Sequence, residues 1–495
     1  MTRSTELLRL ADSVILPGFI GTSPPDWLRR RLADGLAGVV LFSRNVDTPD
    51  QLAALTAALR AENPALLVGI DEEAGDVTRL EARTGSSRPG NYALGVVDDV
   101  HLTEEVARDV GHDLAAAGVT INFAPAADVN SNPDNPVIGL RSFGADPGLV
   151  ARHTAAWIRG LQSAGVAACA KHFPGHGDTA VDSHHGLPVV QVSREELHEV
   201  ELWPFRAAIE EGVRAIMTGH LVVPAYDETM PATLSSRILT DLLRGELGFD
   251  GVVITDAIEM AAVAQVYGIG GAAARAVAAG ADSICVGGEH ADEATFDHIR
   301  ESIADAVVNG LLPEARLHEA CARVAKLAAW RFAPGDRVLN GVPVGLAAAR
   351  RAIRVSHHDG ARLPLSAAPH VVELAPDTNL AIDKHQPWGV ADPLGALLPG
   401  TTVTRLGEAE LADGVPADLL DRAADRPLVV VVRDAHRHAW QMDALGHMLA
   451  ARPDGVVVEM GLPGRTDLGS VHIATHGASR VCGQAAAETL TGRLP

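Results

Sequence analysis

The chain is 495 residues long, more than one ordinary domain needs, so two are expected. With 47% hydrophobic residues it can build sizeable cores, yet no apolar run reaches the length of a membrane span. A formal charge of −22 argues against a nucleic-acid backbone as partner and fits an enzyme acting on a small molecule.

Residues 1–10 carry Arg3, Glu6 and Arg9, and the apolar piece Val14-Ile15-Leu16 is too short for a signal h-region, so a cytoplasmic protein is expected. Strand-like apolar runs then recur. Residues 14–16 end at Pro17-Gly18, 37–42 at Ser43-Arg44-Asn45, and 65–70 at Asp71-Glu72-Glu73. Residues 119–123 lead through Ala124-Pro125 to Asp128, and 166–170 end at Lys171-His172. Residues 215–217 end at Thr218-Gly219-His220, 252–254 at Thr255-Asp256, and 283–286 at Gly287-Gly288. Helical patterns fill the spacers, among them 48–62, 103–117 and 194–211. Eight strands alternating with helices predict an α/β chain whose parallel sheet closes into a (β/α)8 TIM-like barrel, with an open doubly wound sheet as the alternative. An amphipathic helix from Pro313 to about Ala333, carrying Leu317, Ala320, Val324 and Leu327, is expected to pack onto the barrel. This gives a catalytic barrel over 1–333, a linker over 334–350, and a smaller α/β sandwich domain over 351–495. The sandwich strands are expected at 371–374, 402–406, 428–432, 456–459 and 480–482. Cys169, Cys285, Cys321 and Cys482 lie far apart and read as reduced thiols.

Chemistry concentrates in Lys171-His172-Phe173-Pro174-Gly175-His176-Gly177-Asp178-Thr179 and the following Asp182-Ser183-His184-His185-Gly186. Glycines and a proline forbid a regular helix there, and polar groups massed after a buried parallel strand are the usual layout of an active site. Alone, Asp256 reads as a helix cap. In a barrel its strand end shares one mouth with Lys171 and His172, and a carboxylate there can serve as a nucleophile or stabilise a cationic transition state. In Asp182-Ser183-His184, residues i and i+2 of an extended loop project the same way. The acid can then orient the imidazole as a general acid/base, although an isolated D-x-H is more often a plain surface loop. A metal held by His172, His176, His184, His185 and His220 is disfavoured, because Pro17-Gly18-Phe19 stands where barrel metallohydrolases carry H-x-H. Asp71 and Arg79 read either as hydroxyl-binding groups or as an ion pair. Arg141, in a Pro/Gly loop, reads as a contact residue. No cofactor motif follows Gly287-Gly288.

Four motifs in order resemble the glycoside hydrolase family 3 β-N-acetylglucosaminidases. They are Lys171 to Thr179 with Asp182-Ser183-His184, Ile70-Asp71-Glu72-Glu73 with Val77-Thr78-Arg79-Leu80, residues 122–130 with 135–144, and Thr255-Asp256. The resemblance covers about residues 10–330 and extends weakly to 350–495. It implies a TIM-like barrel and a retaining mechanism without metal or cofactor. It also implies Asp256 as nucleophile, His184 as acid/base supported by Asp182, and substrate contacts from Asp71, Arg79, Arg141, Lys171 and His172. The expected partner is a small carbohydrate, from cell-wall muropeptides or chitin fragments, with no nucleic acid and no membrane, for a monomer or homodimer. A phosphorylase using phosphate as acceptor and a non-catalytic sugar-binding protein are the rivals. Two departures stand out: Ala74-Gly75-Asp76 where the family often reads Gly-Gly-Arg, and Ala257 where many members carry a second acid.

Overall fold

A computed structural model describes residues 4–179, 186–288, 290–330, 342–358, 360, 362–379 and 381–493. The chain forms two compact units that are not contiguous in sequence: Met1–Glu73, Thr103–Ile138 and Gly144–Val338 make the first, and Ala74–Leu102, Gly139–Phe143 and Leu339–Pro495 the second.

The first unit contains β1 (Ile15–Pro17), β2 (Gly38–Leu41), β3 (Leu67–Ile70), β4 (Ile121–Asn122), β5 (Ala167–Phe173), β6 (Ala215–Thr218), β7 (Val252–Thr255) and β8 (Ile284–Val286). These match the eight apolar runs. Their residues are buried throughout, as continuous apolar runs of a parallel sheet covered on both faces should be. Strands β2 to β7 pair in sequence order and in parallel. An Ile254–Ser283 bridge carries the sheet on to β8, which pairs with β1. At the β1/β2 seam packing replaces a ladder, and a Cβ on Gly38 would collide with the Leu16 side chain. The unit is a TIM-like barrel. Its interior is filled by Leu16, Val40, Leu67, Ile121, Phe123, Cys169, Met217 and Ile254. Val324, Leu327 and Ala328 of the helix Glu314–Ala329 complete that core, so this amphipathic helix packs onto the barrel as its pattern predicts. The expected helix over 194–211 breaks into Arg194–Glu199 and Leu202–Glu210.

The second unit contains β9 (Arg354–His357), β10 (His370–Leu374), β11 (Thr402–Leu406), β12 (Leu428–Val432), β13 (Val456–Glu459) and β14 (Val471–Ala474), in the order β11-β10-β12-β13-β14-β9 with only β9 antiparallel. Side chains alternate between two cores, as the period of a strand requires. Val371, Val429, Val431, Val456 and Val458 meet the helices Val344–Ala352 and Arg480–Leu490 on one face. Val372, Val430, Val432 and Val457 meet Leu445 and Met448 of the helix Ala439–Ala451 on the other. This is the α/β sandwich. One expectation needs correction, and two strands and a helix are added to the pattern. Residues 480–482 open a helix, because Val481, Cys482, Ala485, Ala486 and Leu490 recur at helical spacing and bury one stripe. Strands β9 and β14 carry polar residues that hide them from an apolar-run reading. The helix Val344–Ala352 occupies the end of the segment expected to be linker.

Two histidines make this unit acid-sensitive. Burial pushes His472 in β14 down to about 4, helped by the neighbouring His358, and burial pushes His476 down to about 4 although its Nδ1 bonds the Ala352 carbonyl at 2.9 Å. An unfolded imidazole titrates near 6.5, so below that pH the unfolded chain binds protons that the folded chain refuses. Stability is therefore full above pH 6.5 and falls as pH drops toward 4, by about 3 kcal/mol per ring at the acid limit. Calorimetry at pH 7, 6 and 5 should show the melting temperature dropping steadily, and His472→Gln should flatten the slope by about one proton equivalent. An unchanged slope in that variant would assign the acid sensitivity elsewhere.

Candidate active site

Asp71 follows β3, Lys171 and His172 end β5, and Asp256 follows β7, so all four stand at the carboxyl ends of parallel strands. A buried ammonium needs partners, and Lys171, 2% exposed, has two. Its Nζ donates to Asp71 Oδ1 at 2.6 Å and lies 2.7 Å from Glu73 Oε1. Glu73 is buried, whereas the Asp71 side chain is 20% exposed. The triad therefore offers an oriented, partly accessible carboxylate suited to accept hydroxyl hydrogens. The neighbouring Glu72 is fixed through its backbone, its N–H donating to Asn122 Oδ1 and its carbonyl accepting from Asn122 Nδ2, each at 2.8 Å.

His172 is positioned by Asp128. The ring Nδ1 lies 2.8 Å from Asp128 Oδ2, and the backbone N–H groups of His172 and His176 donate to Asp128 Oδ1 at 3.1 and 2.8 Å. Burial alone would push this carboxyl up. The charges of His172 and His176 and these hydrogen bonds hold it below its ordinary value. A carboxylate on Nδ1 fixes the ring's orientation and makes Nε2 the basic nitrogen of the neutral ring. The loop beyond His172 is clamped to the same segment. Asn135 Nδ2 donates to the carbonyls of His176 and Gly177 at 2.8 and 3.0 Å. Gly177 must be glycine because a Cβ there would run into the Val129 carbonyl.

Asp256 is half-buried, its N–H bonded to the Thr218 carbonyl at 3.2 Å and its Oδ1 accepting the Ala257 N–H at 2.7 Å. Buried His220 holds this turn from below, with Nδ1 2.8 Å from Thr233 Oγ1 and Nε2 3.0 Å from the Ala257 carbonyl. Both ring nitrogens of His220 thus serve structure. The charges of Lys171, Asp71 and Asp256 all act on the buried thiols of Cys169 and Cys285, which burial pushes up. The three charged groups are therefore gathered at one end of the barrel. Among the described residues no group of three or more His, Cys, Asp or Glu side chains could hold a metal ion.

The family profile described as "Glycosyl hydrolase family 3 N terminal domain" matches residues 26–327, more than half of the chain. The chain belongs to glycoside hydrolase family 3. Beta-hexosaminidase A of Pseudoalteromonas piscicida is 37% identical over 331 residues, 62% of this chain and 55% of that protein, so the chain spans about half the length of that relative. A beta-hexosaminidase of Thiobacillus denitrificans is 42% identical over 284 residues, 55% of this chain and 78% of that protein. A solved glycoside hydrolase family 3 beta-N-acetylglucosaminidase from Paenibacillus sp. str. FPU-7 matches with a TM-score of 0.86 at 34% identity, covering 99% of this chain and 98% of that one.

Of the remaining candidate residues, two belong to the second unit and two lie outside the described residues. Arg79 and Arg141 belong to the second unit. There Arg79 Nη1 donates to the Ala381 carbonyl at 2.9 Å, and Arg141 ends a 3-10 turn whose carbonyl accepts from Asn91 Nδ2 at 2.7 Å. Asp182 and His184 lie outside the described residues. The departure at Asp76 has a structural account: its buried carboxylate meets Arg433 Nη2 at 2.9 Å and accepts the Ala478 N–H at 3.0 Å, all within the second unit. Sequence reasoning missed Glu73 as a partner of Lys171 and gave Asp128 no role, although Asp128 follows β4 as Asp71 follows β3. The strand-end rule that selected Asp71 could have selected Asp128 as well.

Proposed function

We infer that this chain is an exo-acting, retaining β-N-acetylglucosaminidase that removes terminal N-acetylglucosamine from muropeptides or chitooligosaccharides. The observation that carries this reading is Asp256 at the end of β7, gathered with the Lys171–Asp71–Glu73 triad at one end of a family 3 barrel. Similarity over nearly the whole chain to a family 3 beta-N-acetylglucosaminidase supports the sugar.

In this reading Asp71, Lys171, His172, Arg79 and Arg141 bind sugar hydroxyls. Asp256 attacks the anomeric carbon while His184, oriented by Asp182, gives its proton to the departing oxygen. Water then attacks the glycosyl-enzyme, His184 takes the water's proton, and Asp256 is released as a carboxylate. Chemistry is assigned to residues 1–333, with 334–350 as connection and 351–495 as the supporting domain. The protein works in the cytoplasm as a monomer or homodimer, without cofactor. No helix among the described residues is long and apolar enough to cross a membrane.

A histidine base does not repel an anion as a carboxylate would, so phosphorolysis is the second reading. One product assay separates the two. A chitooligosaccharide is incubated with and without inorganic phosphate, and the sugar is followed by proton NMR. The expected product is free N-acetylglucosamine, first seen as the β-anomer, at a rate that phosphate leaves unchanged. N-acetylglucosamine 1-phosphate as the main product would select the phosphorylase, and an initial α-anomer of the free sugar would remove the retaining mechanism.

A further inference from the structure

Glu201 is a buried acid that the mechanism above does not use. It stands at the break between the helices Arg194–Glu199 and Leu202–Glu210 and is 2% exposed. Oε1 receives one long bond, from Ser131 Oγ at 3.5 Å, and Oε2 has no hydrogen-bond partner among the described residues. The carboxyl lies against the loop that follows β5, where a side chain on Gly175 would collide with Oε2. Burial pushes this group well above the ordinary carboxyl range, and the carboxylates of Asp128 and Asp178 push it further, although the Ser131 hydroxyl and the nearby Gly177 N–H, which completes no hydrogen bond of ordinary geometry to it, oppose the shift. Such a setting disfavours the charged form, and the protonated carboxyl can donate as well as accept.

The same loop is held by Asp128 and Asn135 through the hydrogen bonds to His176 and Gly177 described above, and Gly177 lies against the Val129 carbonyl. Glu201 packs against it at Gly175. Gly175 and Gly177 are the two places where the loop backbone comes too near its supports to carry a side chain. We propose that Glu201 is a positioning residue whose side chain fixes the loop from His172 to Thr179, and through it the substrate contact proposed for His172, by shape and hydrogen bonding rather than by charge. The activity part of this inference rests on the hydrolase reading; the loop part does not.

The test compares Glu201→Gln, which keeps shape and a donor, with Glu201→Ala, which removes both. Activity is measured on a chitooligosaccharide and on a nitrophenyl N-acetylglucosaminide, and amide hydrogen exchange is measured over residues 173–179. Glu201→Gln should stay within about threefold of wild type on both substrates, with exchange unchanged. Glu201→Ala should lower kcat on both substrates roughly 10–100-fold, the scale of a misplaced site residue, with exchange faster. Glu201→Gln as impaired as Glu201→Ala would show that charge is required and overturn the proposal. So would Glu201→Ala with unchanged kcat and exchange. A wild type that cleaves neither substrate would sink the functional reading, and the exchange comparison would still decide the role of Glu201.

Discussion

Replacing Asp256 by alanine is expected to lower kcat by roughly 10⁴–10⁶-fold, the scale on which a covalent nucleophile contributes. The fold should survive. The turn is anchored independently of this carboxylate by His220, Thr233 and the bond from the Asp256 N–H to the Thr218 carbonyl. Asp256→Asn keeps an acceptor for the Ala257 N–H and should melt close to wild type while being as inactive toward natural substrates. A mechanism-based 2- or 5-fluoro glycoside that traps the glycosyl-enzyme should label Asp256, with the modified peptide identified by mass spectrometry. Label on another residue, with Asp256→Ala still turning over, would reassign the nucleophile. Asp71, the partly exposed carboxylate at the end of β3, would then be the first place to look.

The second large effect concerns His184, and it should depend on the leaving group. A sugar alcohol must be protonated as its bond breaks, whereas a nitrophenolate is already a stable anion. His184→Ala should therefore cost chitooligosaccharides roughly 10²–10⁴-fold in glycosylation, the usual contribution of general acid catalysis, and aryl glycosides less in that step. Deglycosylation should also slow, since no base activates the water, so the glycosyl-enzyme should accumulate and added azide should speed turnover of the aryl substrate. Asp182→Asn should show a milder version, because it alters only the orientation and basicity of the imidazole. The wild-type pH profile should carry one limb that His184→Ala lacks. Equal losses on both substrates, with the profile unchanged, would leave His184 as a binding residue and require another acid.

Local pattern carried much of this. Buried parallel strands are largely apolar runs, so the eight strands of the barrel and β12 and β13 could be read directly from residues such as Leu428 to Val432. The polar residues that end those runs marked Asp71, Lys171, His172 and Asp256, because a barrel delivers every strand's carboxyl end to the same mouth. Pattern failed where an element departs from its own period. Strand β14 carries His472 among apolar neighbours, residues 480–482 imitate a strand at the start of a helix, and Val200 and Glu201 interrupt a helical pattern that looks continuous. Only the tertiary structure decided the partners. Lys171 lies between two acids about 100 residues earlier, His172 is oriented by Asp128 44 residues away, and Asp76 meets Arg433 from 357 positions further on. It also decided that residues 74–102 and 139–143 group with the C-terminal sheet. The physical reason is one of range. Backbone sterics and burial periodicity act over a few residues and leave their mark in every short window. The desolvation that forces a buried charge to find a partner fixes only that a partner exists, and topology chooses which one.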